Sequence, residues 1–167
     1  MAELTPQERL QPSLLDRLTD NEPHKTDESR DQRVLSIAKL RECVIRDLTW
    51  LLNTERMPSV EKIEDHPDAR QSVINYGIPS LTGASSSGLD GEALEKAVAE
   101  AIYAFEPRLI RGTVSVRSVR SRDQMNLNAM MFEIEADLWA QPVPLHLYLQ
   151  TEVDLETGHF SAARYLT

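Results

Sequence analysis

The chain holds 167 residues, with 18 Lys plus Arg against 27 Asp plus Glu, a formal charge of −9 and a pI of about 4.9. Its one cysteine, Cys43, excludes an internal disulfide framework, and the start MAELTPQERL lacks the basic-then-apolar pattern of a secretory signal, so a reducing cytoplasm is the expected compartment. No apolar run nears the roughly 20 residues that span a bilayer, and the acidic balance gives nucleic acid or anionic lipid the wrong long-range sign.

Leu10, Leu14, Leu15 and Leu18 recur at helical spacing, and Pro12 with Ser13 suits a helix start. The stretch from Thr19 to Arg33 has no aliphatic or aromatic residue, so burial cannot offset its ordering entropy. Residues 1–33 are thus expected to be a short helix and a polar linker, and residues 34–167 a single α+β domain. A strong helix is predicted from Val34 to Asn53, where Ile37, Leu40, Val44, Leu48 and Leu51 step by three or four. Cys43 falls inside it as a buried, inert thiol. Residues 54–89 are rich in Pro and Gly, with a short helix predicted from Asp68 to Asn75 that turns Val73 and Ile74 inward. TGASSSG at 82–88 reads as a flexible connection without phosphate-loop spacing.

A second helix is predicted to start at Asp90 as N-cap, with Leu89 and Leu94 as a hydrophobic staple, and to stop before Pro107. The period then changes from helix to strand. Residues alternate apolar and polar in 109–119, 129–140 and 145–155, and a short last strand is predicted over 159–166 after Glu156-Thr157-Gly158. Helices followed by strands give α+β: helices packed on one face of a roughly four-stranded, mainly antiparallel sheet.

Five arginines lie between Pro107 and Arg122 with no acid among them, while the next strand carries Glu133, Glu135 and Asp137. Cross-strand pairing of these acids with Arg111 and Arg117 is favoured over nucleic-acid binding, because interleaved aromatics are absent. Glu106-Pro107-Arg108 sits where helix gives way to strand. Spacing alone favours a local turn with an ion pair over a rigid corner that recognises a partner. The histidines, His24, His66, His146 and His159, lack metal-site spacing. No metal, no cofactor and no catalytic residue is expected. A glycosidase-like carboxylate pair is always imaginable among so many surface acids, but none is singled out.

Several strings occur in a characteristic order: Arg17-Leu18-Thr19-Asp20 with Pro23; Arg46-Asp47-Leu48 running into Leu51-Leu52-Asn53-Thr54; Ser72 to Pro79 with Leu81-Thr82-Gly83; and Glu106-Pro107-Arg108-Leu109. Together they resemble the TssE family, baseplate wedge subunits of bacterial type VI secretion systems, within the lysozyme-like wedge group of contractile tails. The resemblance spans about residues 14–167. It implies a non-enzymatic part of the membrane-docked baseplate, joining the wedge core to the sheath. It implies as partners the wedge proteins TssF, TssG and TssK and the sheath proteins TssB and TssC, in one or few copies per wedge of a six-fold assembly. By resemblance, Glu106 and Arg108, with Pro107 between them, anchor the wedge core, which reverses the preference drawn from spacing. Strand addition is expected at the C-terminal hairpin, at Leu147, Leu149, Thr151, Val153, Phe160 and Arg164. Ser80 stands where many relatives have Asp, and Trp50 where the helix position is often less bulky. The competing expectations are a peptidoglycan-hydrolysing, lysozyme-like enzyme and a generic oligomeric adaptor.

Overall fold

A computed structural model of the chain describes residues 13–19, 23–24, 37–57, 65–70, 72–81, 90–119, 129–139, 144–161 and 164–165. Helix α1 spans Leu14–Leu18, α2 Ile37–Leu52, α3 Pro67–Arg70 and α4 Gly91–Phe105; strands are β1 Ser115–Val119, β2 Ala129–Leu138, β3 Leu145–Asp154 and β4 Arg164–Tyr165. Residues 34–36, most of 19–33, the 82–88 stretch, Leu89, Arg120 and Arg122 lie outside the described residues.

Helix α2 buries the predicted stripe from Leu40 through Val44, Leu48 and Leu51, together with Leu52 and Cys43, while its first member, Ile37 at the helix start, is 49% exposed. Burial pushes the Cys43 thiol pKa up, and the neighbouring Asp16 carboxylate adds to the effect, so the thiol stays protonated. Helix α4 begins as predicted: the Asp90 carboxylate accepts from the Glu92 and Ala93 N–H groups. Its apolar face, Leu94, Val98, Ala101 and Ile102, is buried. It ends at Phe105, where the following Glu106 leaves helical geometry one residue before Pro107.

The strands form one antiparallel sheet in the order β1-β2-β3-β4. Along β2 and β3 the pleat sends alternate residues inward. Met130, Phe132, Ile134, Ala136 and Leu138 meet Leu147, Leu149 and Val153 and the apolar faces of α2 and α4 in one core. Among the described residues helices cover only this face, as an α+β reading of the alternation requires. Phe132 and Phe160 are both fully buried, with ring centroids 5.8 Å apart.

Four expectations are corrected. The strand predicted from 109 begins at Ser115. Leu109 makes a single bridge to Leu138, and Arg111–Thr113 then form a 3-10 turn. Thr113 stabilises this turn twice: its hydroxyl donates to the Ile110 carbonyl at 2.8 Å and accepts from the Asp137 N–H at 2.8 Å. Arg111 is therefore not in the ladder, and Arg117, which does face Glu133 in register, makes no salt bridge to it among the described residues. The helix predicted for 68–75 breaks into α3 and a 3-10 turn, because the Ser72 side chain caps Ile74 N–H. Val73 and Ile74 then point out, 81% and 67% exposed, and Asn75 turns in instead. Last, of the strand expected over 159–166, the described residues show a bridge at Phe160 and the two residues of β4, while 162, 163 and 166 lie outside the described residues. Three strands carry the sheet and the fourth is a fragment. The register shifts by one residue between Val153↔Phe160 and Gln150↔Arg164. There the Ser161 hydroxyl, in place of a backbone carbonyl, accepts from Glu152 N–H at 3.2 Å.

Candidate partner-binding site

Two candidate surfaces are built on the second half of α2. The first is the corner after α4. Pro107 fixes a turn in which Leu109 N–H reaches the Glu106 carbonyl at 3.3 Å. The turn is pinned to the end of β2: Trp139 N–H donates to the Arg108 carbonyl at 2.8 Å and Ile110 N–H to that of Asp137 at 2.9 Å. Glu106 is buried, its side chain 3% exposed, and one oxygen accepts from both Arg108 N–H at 3.1 Å and Arg108 Nε at 2.7 Å. The other accepts from Nη2 at 2.5 Å, and Nη2 also reaches Asp47 Oδ2 on α2 at 2.6 Å. Burial alone would lower the Arg108 pKa, but the Glu106 and Asp47 carboxylates outweigh it and hold the group firmly protonated.

The chain of charge continues. Arg46 Nε donates to Asp47 Oδ1 at 2.9 Å and Nη1 to Asp16 Oδ1 at 2.7 Å, which ties α1 to α2. Burial pushes Asp16 up, yet hydrogen bonds from Ser13, Arg46 and Cys43 outweigh it and bring its pKa down to about 2. Leu14 and Leu18 of α1 remain more than 70% exposed, so this helix is held by polar contacts and not by its leucines. The Arg46 guanidinium lies 5.1 Å from the Trp50 ring centroid, within cation–π range. Tyr76 packs edge-on against Phe105 at 5.1 Å. Burial raises the Tyr76 phenol pKa, and the Asp47 and Glu106 charges raise it further. Trp50, Tyr76, Phe105, Pro107 and Arg108 border an open groove of about 440 Å³. In its wall Arg108 Nη1 is buried with no hydrogen-bond partner among the described residues, an unusual state for a charged donor.

The second surface is the β3–β4 margin. Asn53, one residue beyond α2, clamps the returning chain: its Oδ1 accepts from Phe160 N–H at 2.9 Å and its Nδ2 donates to the Phe160 carbonyl at 3.1 Å. The amide thus pairs with Phe160 as a neighbouring strand would. Next to it, Ile78 N–H donates to the Thr54 carbonyl at 2.9 Å and Arg56 N–H to that of Ile78 at 2.8 Å. Gly77, at φ +121°, permits this approach, since a Cβ there would lie 2.2 Å from the Thr54 oxygen. Ser80 donates to Glu55 Oε1 at 2.7 Å, a contact Asp could not make as a donor.

Of the residues expected to receive a strand, Leu147, Leu149, Thr151, Val153 and Phe160 are core residues. Their side chains face the helices and are closed to a partner. The backbone of the four on β3 does not serve the margin either. Glu152 and Asp154 bond toward the β4 side, and in an antiparallel ladder the direction alternates. Residues 146, 148 and 150 therefore present N–H and C=O groups to that side, while 147, 149, 151 and 153 face β2. Arg164 pairs with Gln150. Among the described residues β4 covers only Leu149 and Gln150, leaving His146 and Tyr148 as the open stretch.

The structure brings Glu106, Pro107 and Arg108 into one site, and adds Asp47, Arg46, Asp16, Tyr76 and Asn53, which sequence reasoning did not assign to it. Strings that seemed unrelated along the chain converge: Arg46-Asp47 and Asn53-Thr54 flank the end of α2, and Tyr76-Gly77-Ile78 and Glu106-Pro107-Arg108 fold onto it. No group of three or more His, Cys, Asp or Glu side chains fit to hold a metal ion occurs among the described residues. No described helix is long and apolar enough to cross a membrane.

In comparison with known proteins, the family model of the baseplate wedge protein gp25 matches residues 38–143. That span holds α2, α4, the charged corner, β1 and β2, and stops short of β3. No curated protein and no solved structure matches. The chain belongs to the gp25-like family of contractile-tail baseplate wedge proteins, of which TssE is the type VI secretion branch.

Proposed function

We propose that this chain is a structural component of a bacterial type VI secretion baseplate, where it links the wedge core to the sheath and starts sheath polymerisation by strand pairing. The observation that carries this reading is the β3 margin: an edge with no pairing partner for His146 and Tyr148 among the described residues, beside a segment fixed at Phe160 by Asn53. A strand edge with free N–H and C=O groups is a template for an incoming strand, which adds main-chain bonds without needing side-chain pockets. The partners in this reading are TssB and TssC on the sheath side and TssF, TssG and TssK on the wedge side, on the cytoplasmic face of the membrane.

The corner takes the wedge side. Glu106 is spent on Arg108 and works by holding it, so the groups exposed to a partner are Pro107 and Trp50, and the buried, unpaired Arg108 Nη1 becomes available only if the groove wall shifts on docking. A carbonyl oxygen suits that donor, because the three carboxylates and two guanidinium groups already present leave the cluster one negative charge.

Truncation tests the reading. A cut after Thr157 would remove the core residue Phe160, so the informative cut follows Ser161. It should abolish sheath initiation while co-purification with TssF and TssG persists, and normal full-length sheaths from this variant would remove the strand-pairing role. Trp50→Ala and Arg108→Lys should weaken wedge association; undiminished co-purification would leave the corner with a purely internal role.

Peptidoglycan hydrolysis is the second reading, and the site does not favour it. A glycosidase needs two carboxylates free to flank a bond, one of them able to donate a proton. The buried Glu106 has both oxygens committed to Arg108. Robust peptidoglycan release by the pure chain, lost with one carboxylate, would reverse this assignment.

A further inference from the structure

We infer that Glu95 closes the β1 margin of the sheet against strand pairing, so that the sheet takes a strand at its β3–β4 side alone. The sheet has two margins. An antiparallel sheet with both open would be a template in two directions and prone to uncontrolled association. On β1 the Ser118 N–H does not point to β2: it donates to Glu95 Oε1 of α4 at 2.7 Å, and the Ser118 hydroxyl donates to the same oxygen at 2.7 Å. The alternation of an antiparallel strand then puts Val116 and Val114 on the same outer side as Ser118. There the Val114 carbonyl accepts from the Tyr103 hydroxyl at 3.3 Å. Two side chains of one helix, two turns apart, thus occupy a donor and an acceptor that a neighbouring strand would use.

The helix start reinforces the closure. At Gly91 an added Cβ would lie 3.1 Å from the Ser118 hydroxyl oxygen, so glycine lets the first turn of α4 come up against the strand. A carboxylate suits the role. It only accepts, so it satisfies the edge N–H without offering a donor to continue a ladder. An incoming strand would also have to displace a charge-assisted bond. Across the sheet, no described side chain binds the backbone of His146 or Tyr148. The difference between the two margins is therefore chemical as well as positional.

The consequence for sheath assembly rests on the strand-pairing reading above; the closure itself does not. The test uses the full chain as wild type, Glu95→Ala, Glu95→Gln and Glu95→Ala with Tyr103→Phe. Amide hydrogen exchange at Ser118 is followed with sedimentation velocity over a range of concentrations. Alanine is a better helix former than glutamate, so α4 should persist; Glu95→Ser, too short to reach the strand, gives a second route if it does not. At low concentration Ser118 should exchange about 10-fold faster in Glu95→Ala than in wild type, the change expected from losing about 1.4 kcal/mol. Glutamine, which keeps the acceptor, should restore protection. As concentration rises, the alanine variants should associate, the double variant most, and Ser118 should regain protection as two β1 margins pair. Unchanged Ser118 exchange in Glu95→Ala, or fast exchange with no association at any concentration, would overturn the inference. Loss of sheath initiation on cutting after Ser161 is a separate result, so the strand-pairing reading and the closure stand or fall independently.

Discussion

The charged corner and the β3 margin share one helix but are held by opposite means. At the corner, buried charge is balanced by buried charge: Arg108 reaches Glu106 at 2.7 Å and Asp47 at 2.6 Å. At the margin, an amide and an aromatic ring do the positioning: Asn53 holds the Phe160 backbone while the ring packs on Phe132. Charge pairs set direction sharply and fail when one partner is lost, because the other is left buried and uncompensated. Apolar packing is indifferent to direction, so the margin needs the Asn53 amide to set its register. A rigid contact to a fixed neighbour and a template for an extending strand call for these two constructions.

The sharpest way to break the margin is Phe160→Ala. A fully buried aromatic ring should cost about 3–5 kcal/mol on truncation, read by denaturant unfolding, and the loss of order should centre on β3 and β4. A cost below about 1 kcal/mol would mean that the ring does not seat the returning chain. For the corner, Glu106→Ala should cost about 3–5 kcal/mol by leaving Arg108 buried against Asp47 alone. A double-mutant cycle with Arg108→Met isolates the coupling, since removing both charges should recover part of the loss. If the double variant is as unstable as the sum of the singles, the pair is not a unit. Asn53→Ala should cost about 1–3 kcal/mol, because the Phe160 N–H and C=O lose their partners where water reaches them poorly. It should also raise amide exchange at Phe160 with little change at Arg108; equal changes at both would dissolve the distinction between the two regions.

Local periodicity made the long elements legible. Alternation over ten residues fixes which face of β2 and β3 is buried, and the 3.6-residue stripe does the same for α2 and α4. Where two local codes compete, period misleads. Ile110 to Val114 alternate like a strand, yet the Thr113 hydroxyl captures backbone groups and forces a turn. Val73 and Ile74 look like a core pair, yet Ser72 caps a 3-10 turn that throws them outward. The site was half legible. Glu106-Pro107-Arg108 is contiguous, so its ion pair follows from the turn. Asp47 is separated from Arg108 by 61 positions and Asn53 from Phe160 by 107, and no spacing rule reaches that far. Only their membership of strings that recur together pointed to them.

The smallest expected effect is the latch of α1, and it sharpens the contrast between buried and surface charge. Its hydrogen bonds hold the Asp16 carboxyl down at about 2, below the ordinary aspartate value of 3.8. A folded pKa below the unfolded one means that its stabilising contribution is complete above about pH 4 and is lost as pH falls through about 2. Arg46, its partner, is one-third exposed, so solvent screens the pair and the contribution should stay under about 1 kcal/mol. Amide protection over Leu14–Leu18 should therefore fall between pH 4 and 2, and should fall at neutral pH on raising salt. In Asp16→Asn it should be weak at every pH. The corner answers differently to salt, because Glu106 is shut away from it by burial, so at neutral pH and high salt Arg108 amide protection should hold where that of α1 has gone. If both declined together with salt at neutral pH, the two ends of the charge chain would be one cooperative unit, and α1 would belong to the anchoring surface as fully as the corner does.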